Sequence, residues 1–290
     1  MNQGEQLREI LAKPGILVLP GIYDCLGARL AEQAGFEVAF TSGFGISASL
    51  LGKPDFGFLT ATEVLNATGN IVSSVEIPIV ADLDTGYGNV LNVHRTVSEA
   101  ARKGVAGIIL EDQEWPKKCG HFEGKRVITA EEHVEKIRAA VEARGTSQLV
   151  IIGRTDARAQ LGLDEAIRRG HAYHEAGADV IFVEAPQSLE ELKVIGKAFP
   201  GVPTFANMIE GGRTPVLPAE ELEEMGFKIV VFPLTGLFSA VAAMRDALAL
   251  LHRTRSTAGR PLSVDFHEFE RVIGVERWRT LEKRFSSKTR

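Results

Sequence analysis

Eight short β-branched runs, each ending in polar or small residues, constrain this chain more than anything else in it. They are ILVLPGIYD (16–24), EVAFTSG (37–43), PIVADLDTG (78–86), GIILEDQ (107–113), LVIIGRTDA (149–157), VIFVEAP (180–186), TFANM (204–208) and KIVVFP (228–233). Apolar residues run almost without interruption through them, as in parallel strands covered on both faces. Helix-period segments lie between, such as CLGARLAEQAG (25–35), NVHRTVSEAARKG (92–104) and DEAIRRGHAYHEAGA (164–178). Several of these segments end at or beside a glycine, the common helix stop. Parallel neighbours need helical crossovers, so this alternation predicts an α/β fold, a (β/α)8 TIM-type barrel. A doubly wound sheet is the competing fold, but SGFG (42–45) lacks the G-x-G-x-x-G spacing of a dinucleotide fingerprint.

The barrel accounts for residues 1–253, ending in the apolar helix GLFSAVAAMRDALALLHR (236–253). Residues 254–290 are a helical extension beyond a polar linker. Phe266, Phe269, Val272, Ile273 and Trp278 need burial there, and a finished barrel has little room for them. The tail is therefore expected to pack on a neighbouring subunit or across the barrel base.

Basic and acidic side chains number 33 and 38, a net charge of −5, which argues against nucleic acid or an anionic membrane as the main partner. No segment reaches the ~20 apolar residues of a membrane span, and the start lacks a signal-peptide pattern. Two cysteines, Cys25 and Cys119, imply no disulfide framework and fit a reducing cytoplasm.

In such a barrel the chemistry sits at the C-terminal ends of the strands. Read in order, those ends supply Tyr23 and Asp24, Ser42 and Gly43, Asp82 and Asp84, Glu111 and Asp112, Arg154 and Asp156, Glu184, Asn207, and Thr235. Asp24, Asp112 and Asp156 serve equally well as helix caps or turn residues. Asp82 and Asp84 are two apart, so both should point to the same side of an extended strand. Like charges so placed repel unless a cation or a basic group joins them; Mg²⁺ or Mn²⁺ suits oxygen ligands, with Glu111 completing the shell directly or through water. Zinc is disfavoured because Cys119 and His121 have no second Cys/His pair. Arg154 suits either a bidentate clamp on a carboxylate or phosphate or a salt bridge to a neighbouring acid. SGFGIS (42–47) offers backbone N–H groups to an anion. Residues 112–128 have the look of a mobile loop, with Gly120 and Gly124 as hinges. Lys117, Lys118 and Lys125 surround Cys119 with charge that would lower its pKa, or else form an ordinary solvated face.

Together, ADLDTGYGN, EDQEWPKKCGHFEGKRVI, GRTDAR, FVEAP and ANMIEGGRTP resemble the isocitrate lyase/phosphoenolpyruvate mutase superfamily. The stretch Lys117 to His121 resembles its carbon–carbon lyase branch, which includes 2-alkylmalate, dimethylmalate and methylisocitrate lyases. The resemblance implies a homotetramer with C-terminal helices swapped between subunits, and Mg²⁺ in the site. It implies Asp84 as the nearest metal ligand, Asp82 and Glu111 acting through water, and Asp55 close by. Ser42, Gly43 and Arg154 would bind the oxo-acid carboxylate, and Glu184 and Asn207 would face the departing one. Phe44 stands where methylisocitrate lyases have a second glycine, which argues against an identical tricarboxylate substrate. The implied reaction is cleavage of a 2-hydroxy dicarboxylate to a 2-oxo acid, with Cys119 as proton donor and Gly120 and His121 beside it. Oxaloacetate hydrolysis, a phosphonate-forming mutase and a non-catalytic binding subunit are the competing readings.

Overall fold

The computed structural model describes residues 2–258 and 264–286. Strands β1 (Leu17–Ile22), β2 (Ala39–Thr41), β3 (Ile79–Asp82), β4 (Gly107–Glu111), β5 (Val150–Thr155), β6 (Val180–Val183), β7 (Thr204–Asn207) and β8 (Ile229–Phe232) form a closed parallel barrel in chain order. The last strand returns to the first in the register Leu17↔Ile229 to Pro20↔Phe232. All eight expected runs are strands. Each strand is shorter than its run, because the final residues peel away to build the mouth.

Alternation sorts the side chains into two layers. Leu19, Phe40, Val80, Ile109, Ile152, Phe182, Phe205 and Val231 belong to one buried cluster that fills the barrel. Ala81, Ile108, Ile151, Ile181 and Val230 belong to the cluster shared with the surrounding helices. Burying a side chain of this size stabilises by roughly 1.5–3 kcal/mol. The N-terminal helix Gln3–Ala12, started by an Asn2/Glu5 capping box, adds Leu7 and Ile10 to the interior cluster. Arg8 pins it with a 3.0 Å ion pair to Asp179 and by donating to the Gln148 carbonyl.

The chain divides into two compact units, one up to Leu237 and one from Phe238. The second contains most of the helix Thr235–Thr254 and the helices Phe266–Ile273 and Val275–Phe285. None of its described residues is buried. Among the described residues, no helix is long and apolar enough to cross a membrane.

Candidate active site

The mouth end of the barrel holds a cavity of about 500 Å³, opening included. Its polar lining is Ser42, Asp55, Asp82, Lys117, Cys119, Gly120, His121, Arg154, Glu184 and Asn207, and Phe44 lies beside them. The register explains part of this gathering. Glu111 pairs with Arg154 and Arg154 with Phe182, so consecutive strands end side by side.

Asp82 and Asp84 come together, although not along an extended strand. The strand ends at Asp82, and Asp84 lies in the left-handed region at φ 50°. The Asp84 N–H donates to Asp82 Oδ1 at 3.1 Å, a local turn that aspartate side chains favour. Both carboxylates nevertheless reach Gly43, where an added Cβ would lie 3.0 Å from Asp82 Oδ2 and 3.5 Å from Asp84 Oδ1. A side chain at Gly43 would crowd the Asp82 carboxylate, so the glycine lets the helix start lie close to the acids.

Lys117 sits among these acids, buried, 2.7 Å from Asp55 Oδ1 and 2.6 Å from Asp84 Oδ1. Burial pushes the Asp84 carboxyl up to about 7, with Lys117 opposing and Asp82 and Asp55 adding to the rise. Burial likewise holds Glu111 well above the carboxylate range, and its Oε1 has no hydrogen-bond partner. The cluster is thus short of positive charge, and its donors are all hard oxygens, which fits Mg²⁺ or Mn²⁺. Among the described residues no three such side chains converge on one point. An ion held there would take one or two carboxylates and complete its shell with water and substrate oxygens, the usual arrangement for Mg²⁺.

Arg154 contacts Glu111 at 3.2 Å, Glu184 at 3.3 Å and Asp156 at 2.8 Å, and its guanidinium stands over the Phe182 ring. In this state it bridges its neighbouring acids. Asp156 is not a cap: it pairs with Arg154 and with Lys125. Asp112 is a buried hub, accepting from Thr155, the Asp156 N–H, Arg169 and Tyr173. Asp24 is a helix cap, accepting from the Gly27 N–H.

Residues 112–128 fold over the cavity. Their base is an antiparallel bridge between Gln113 and Val127, reinforced by the Gln113 amide, which both donates to and accepts from the Lys118 backbone. At the tip, Phe122 packs between Phe44 and Phe56, at centroid distances of 6.3 and 5.4 Å. His121 Nδ1 accepts from the Arg213 N–H at 2.9 Å, which leaves the ring proton on Nε2. That nitrogen lies 3.1 Å from Glu184.

Two expectations for this loop are corrected. Lys117 and Lys125 are buried, so they are no solvated face. Nor do they bring the thiol's pKa below its usual value: burial outweighs the downward pull of Lys117. Burial pushes the Cys119 thiol up to about 11, with Asp55 and Glu184 adding to it. Thr235 is not brought to the cavity: it is exposed and bonds Glu210. Sequence reasoning missed Lys117 as partner of the acids and Lys125 as partner of Asp156. It also missed the apolar wall of Phe40, Phe205, Ile209, Val231, Pro233 and Leu234, which looks like ordinary barrel core in a sequence.

The family model for phosphoenolpyruvate phosphomutase matches residues 7–252. The chain is 44% identical over 288 residues to a 2,3-dimethylmalate lyase of Eubacterium barkeri, covering 99% of both chains. The chain belongs to the phosphoenolpyruvate mutase/isocitrate lyase superfamily. It is an enzyme, related to proteins named as carbon–carbon lyases. A structure of oxaloacetate acetylhydrolase with 3,3-difluorooxalacetate superposes with a TM-score of 0.95 at 35% identity, covering 100% of this chain and 99% of that one. A phosphonopyruvate hydrolase complexed with oxalate and Mg²⁺ superposes with a TM-score of 0.88 at 33% identity, covering 98% and 99%.

Proposed function

We propose that this enzyme is a Mg²⁺-dependent lyase that cleaves a 2-alkylmalate-type 2-hydroxy dicarboxylate into a 2-oxo acid, such as pyruvate, and a carboxylate. The observation that carries the reading is Cys119, a protonated thiol on a folded-over loop, facing a cavity that is acidic on one side and apolar on the other. Cleavage of the C2–C3 bond leaves the departing half as a carboxylate enolate, which needs nearby positive charge and a proton. A thiol pushed up to about 11 is protonated at neutral pH and is a far stronger acid than the C–H bond it would form, so proton transfer from Cys119 to the enolate carbon runs downhill and Cys119 delivers the proton. His121 and Asn207 face the charge that develops there, with Glu184 holding both, the amide at 3.3 Å. Arg154, Ser42 and the N–H groups that follow Ser42 hold the carboxylate of the oxo-acid half. A bound divalent cation, which superfamily members require, would lower the pKa of the C2 hydroxyl and neutralise charge on its oxygen.

The apolar wall favours an alkyl substituent at C3 over a further carboxylate. Ile209, Val231, Pro233 and Leu234 also offer no side-chain polar group to hold the water that must add to a ketone in hydrolysis, which favours the lyase over the hydrolase that its structural neighbour represents. The reading keeps the protein cytoplasmic, in a homotetramer whose tail helices exchange between subunits. Its support is the exposed apolar surface of that unit and the two free cysteines.

The test is incubation with Mg²⁺ and 2,3-dimethylmalate, 2-methylisocitrate or oxaloacetate, measuring 2-oxo acid and oxalate. We expect 2-oxo acid from the alkylmalate, and a fall of about 10²-fold or more in kcat for Cys119→Ser with oxalate binding retained. Turnover of phosphonopyruvate alone would sink the lyase reading, and near-normal rates in Cys119→Ser would remove the thiol from its role.

A further inference from the structure

Lys125 lies on the returning limb of the folded-over loop, only 4% exposed. Its ammonium donates to two acceptors, the Gly120 carbonyl and, at 2.7 Å, Asp156 Oδ1. Asp156 also holds Arg154, and the Gly120 backbone lies close to the same guanidinium. Asp156 receives the arginine's Nε at 2.8 Å and Nη2 at 3.1 Å. Gly120 presses on the same guanidinium from the loop side: a methyl on its Cα would stand 2.5 Å from Arg154 Nη2 and 2.7 Å from Glu184 Cγ. Lysine, aspartate, arginine and glycine therefore form a closed circuit, with the loop tip as its movable member.

We propose that Lys125 is a positioning residue that latches the loop at Gly120 to the carboxylate orienting Arg154, so that closing the cavity and presenting the arginine are one event. Three carboxylates, on Glu111, Asp156 and Glu184, compete for this guanidinium. Its bearing depends on which of them holds it, and Asp156 holds it through two of its nitrogens. Lys125 fixes Asp156 from the other side. A buried ammonium is costly unless its donors are satisfied. With the loop open, the Gly120 carbonyl is withdrawn and Lys125 loses one of its two acceptors. The closed loop is thus the arrangement in which both the lysine and the arginine are satisfied. The base of the loop is tied independently of Lys125, by the Gln113 amide and by the Glu114 N–H to the Arg126 carbonyl. Removing the ammonium therefore loosens the tip at Gly120 without unravelling the stem, while Phe122, His121 and Lys117 keep their own contacts.

The proposal uses the lyase reading only for its kinetic consequence, and the decisive measurement does not depend on turnover. Parent and Lys125→Met are treated with iodoacetamide in the absence of substrate, and alkylation of Cys119 and Cys25 is followed separately by peptide mass spectrometry. The latch predicts that Cys119 reacts about 10-fold faster or more in the variant, the scale of one charge-assisted hydrogen bond to a buried acceptor. Cys25, outside the cavity at the start of the helix Cys25–Gln33, keeps its parental rate and so controls for loosening of the whole fold. An unchanged Cys119 rate overturns the latch, as does an equal rise at both cysteines. Where the parent turns over an alkylmalate, kcat in Lys125→Met falls by about 10-fold or more while KM moves by less than about threefold, because the latch acts after binding. A rise confined to KM, with kcat unchanged, counts against it. If the parent cleaves none of the acids, the lyase reading fails while the alkylation result still decides the latch. Should Lys125→Met not accumulate as folded protein because Asp156 has lost a partner, Lys125→Met is made together with Asp156→Asn and compared with Asp156→Asn alone: a faster Cys119 reaction with Cys25 unchanged supports the tie to Gly120, and equal rates overturn it.

Discussion

Phe44 stands between the loop tip and the apolar wall, in edge contact with Phe122 and packed with Ile209, Leu234 and Leu237. Its ring occupies space at the N-terminal end of the helix Gly43–Leu51, next to the N–H groups that would receive a carboxylate. A smaller residue there leaves those N–H groups open to a second anionic arm of a substrate. Phe44→Gly should therefore raise the ratio of kcat/KM for 2-methylisocitrate over 2,3-dimethylmalate by about tenfold or more, the scale on which pocket volume discriminates between substrates. Initial rates with both acids check this, and an unchanged ratio would show that the ring does not set substrate size. The presence of Phe44 was visible in the sequence, whereas its neighbours Phe122, Ile209 and Leu234 come from three separate mouth loops that no local pattern connects.

At the scale of elements, the strands were legible because a parallel barrel buries both faces of each one, and that leaves a continuous apolar run in the sequence. The bend after β3 was not legible, because Asp82 takes the Asp84 N–H into a turn that an extended reading passes over. The folded-over loop was recognisable by its glycines and Cys119. Its electrostatics were not, since what sets the thiol's pKa is burial beside carboxylates from other segments. The helix Ala130–Arg144 illustrates the same point with His133, which looks like a surface residue in a charged stretch. It is wholly buried against the Tyr173 ring at 4.5 Å. Burial first, then the charges of Lys136 and Arg169, lower its pKa to about 3. The folded state therefore holds His133 neutral while the unfolded chain protonates it near 6.5. Its contribution is present in full above pH 6.5 and is lost by about 1.4 kcal/mol per pH unit as pH falls from there toward 3. Denaturant melts of parent and His133→Phe between pH 7 and 4 should show the parent losing stability more steeply. Parallel curves would mean that His133 does not titrate with folding.

For the whole molecule, the barrel explains its own stability and the second unit does not. The helices Phe266–Ile273 and Val275–Phe285 are well formed, with Asp265 capping the first and Gly274 turning the chain between them. Yet Phe266 is 76% exposed, Trp278 61% and Phe285 73%. A solvent-exposed apolar surface of this kind marks an interaction site, and a symmetric assembly of identical chains is the commonest way to cover one. The capping residues and turn glycine keep these helices folded as helices, so the surface is displayed deliberately by local sequence and is not the by-product of an unfolded end. Replacing Phe266, Trp278 and Phe285 together by serine in the full-length chain leaves the barrel sequence untouched. Light scattering coupled to size exclusion should then report a mass below that of the parent protein, with the far-ultraviolet helical signal largely retained. A variant that keeps the parent's mass would mean that these residues do not hold subunits together, and the exchange of tail helices would have to be abandoned.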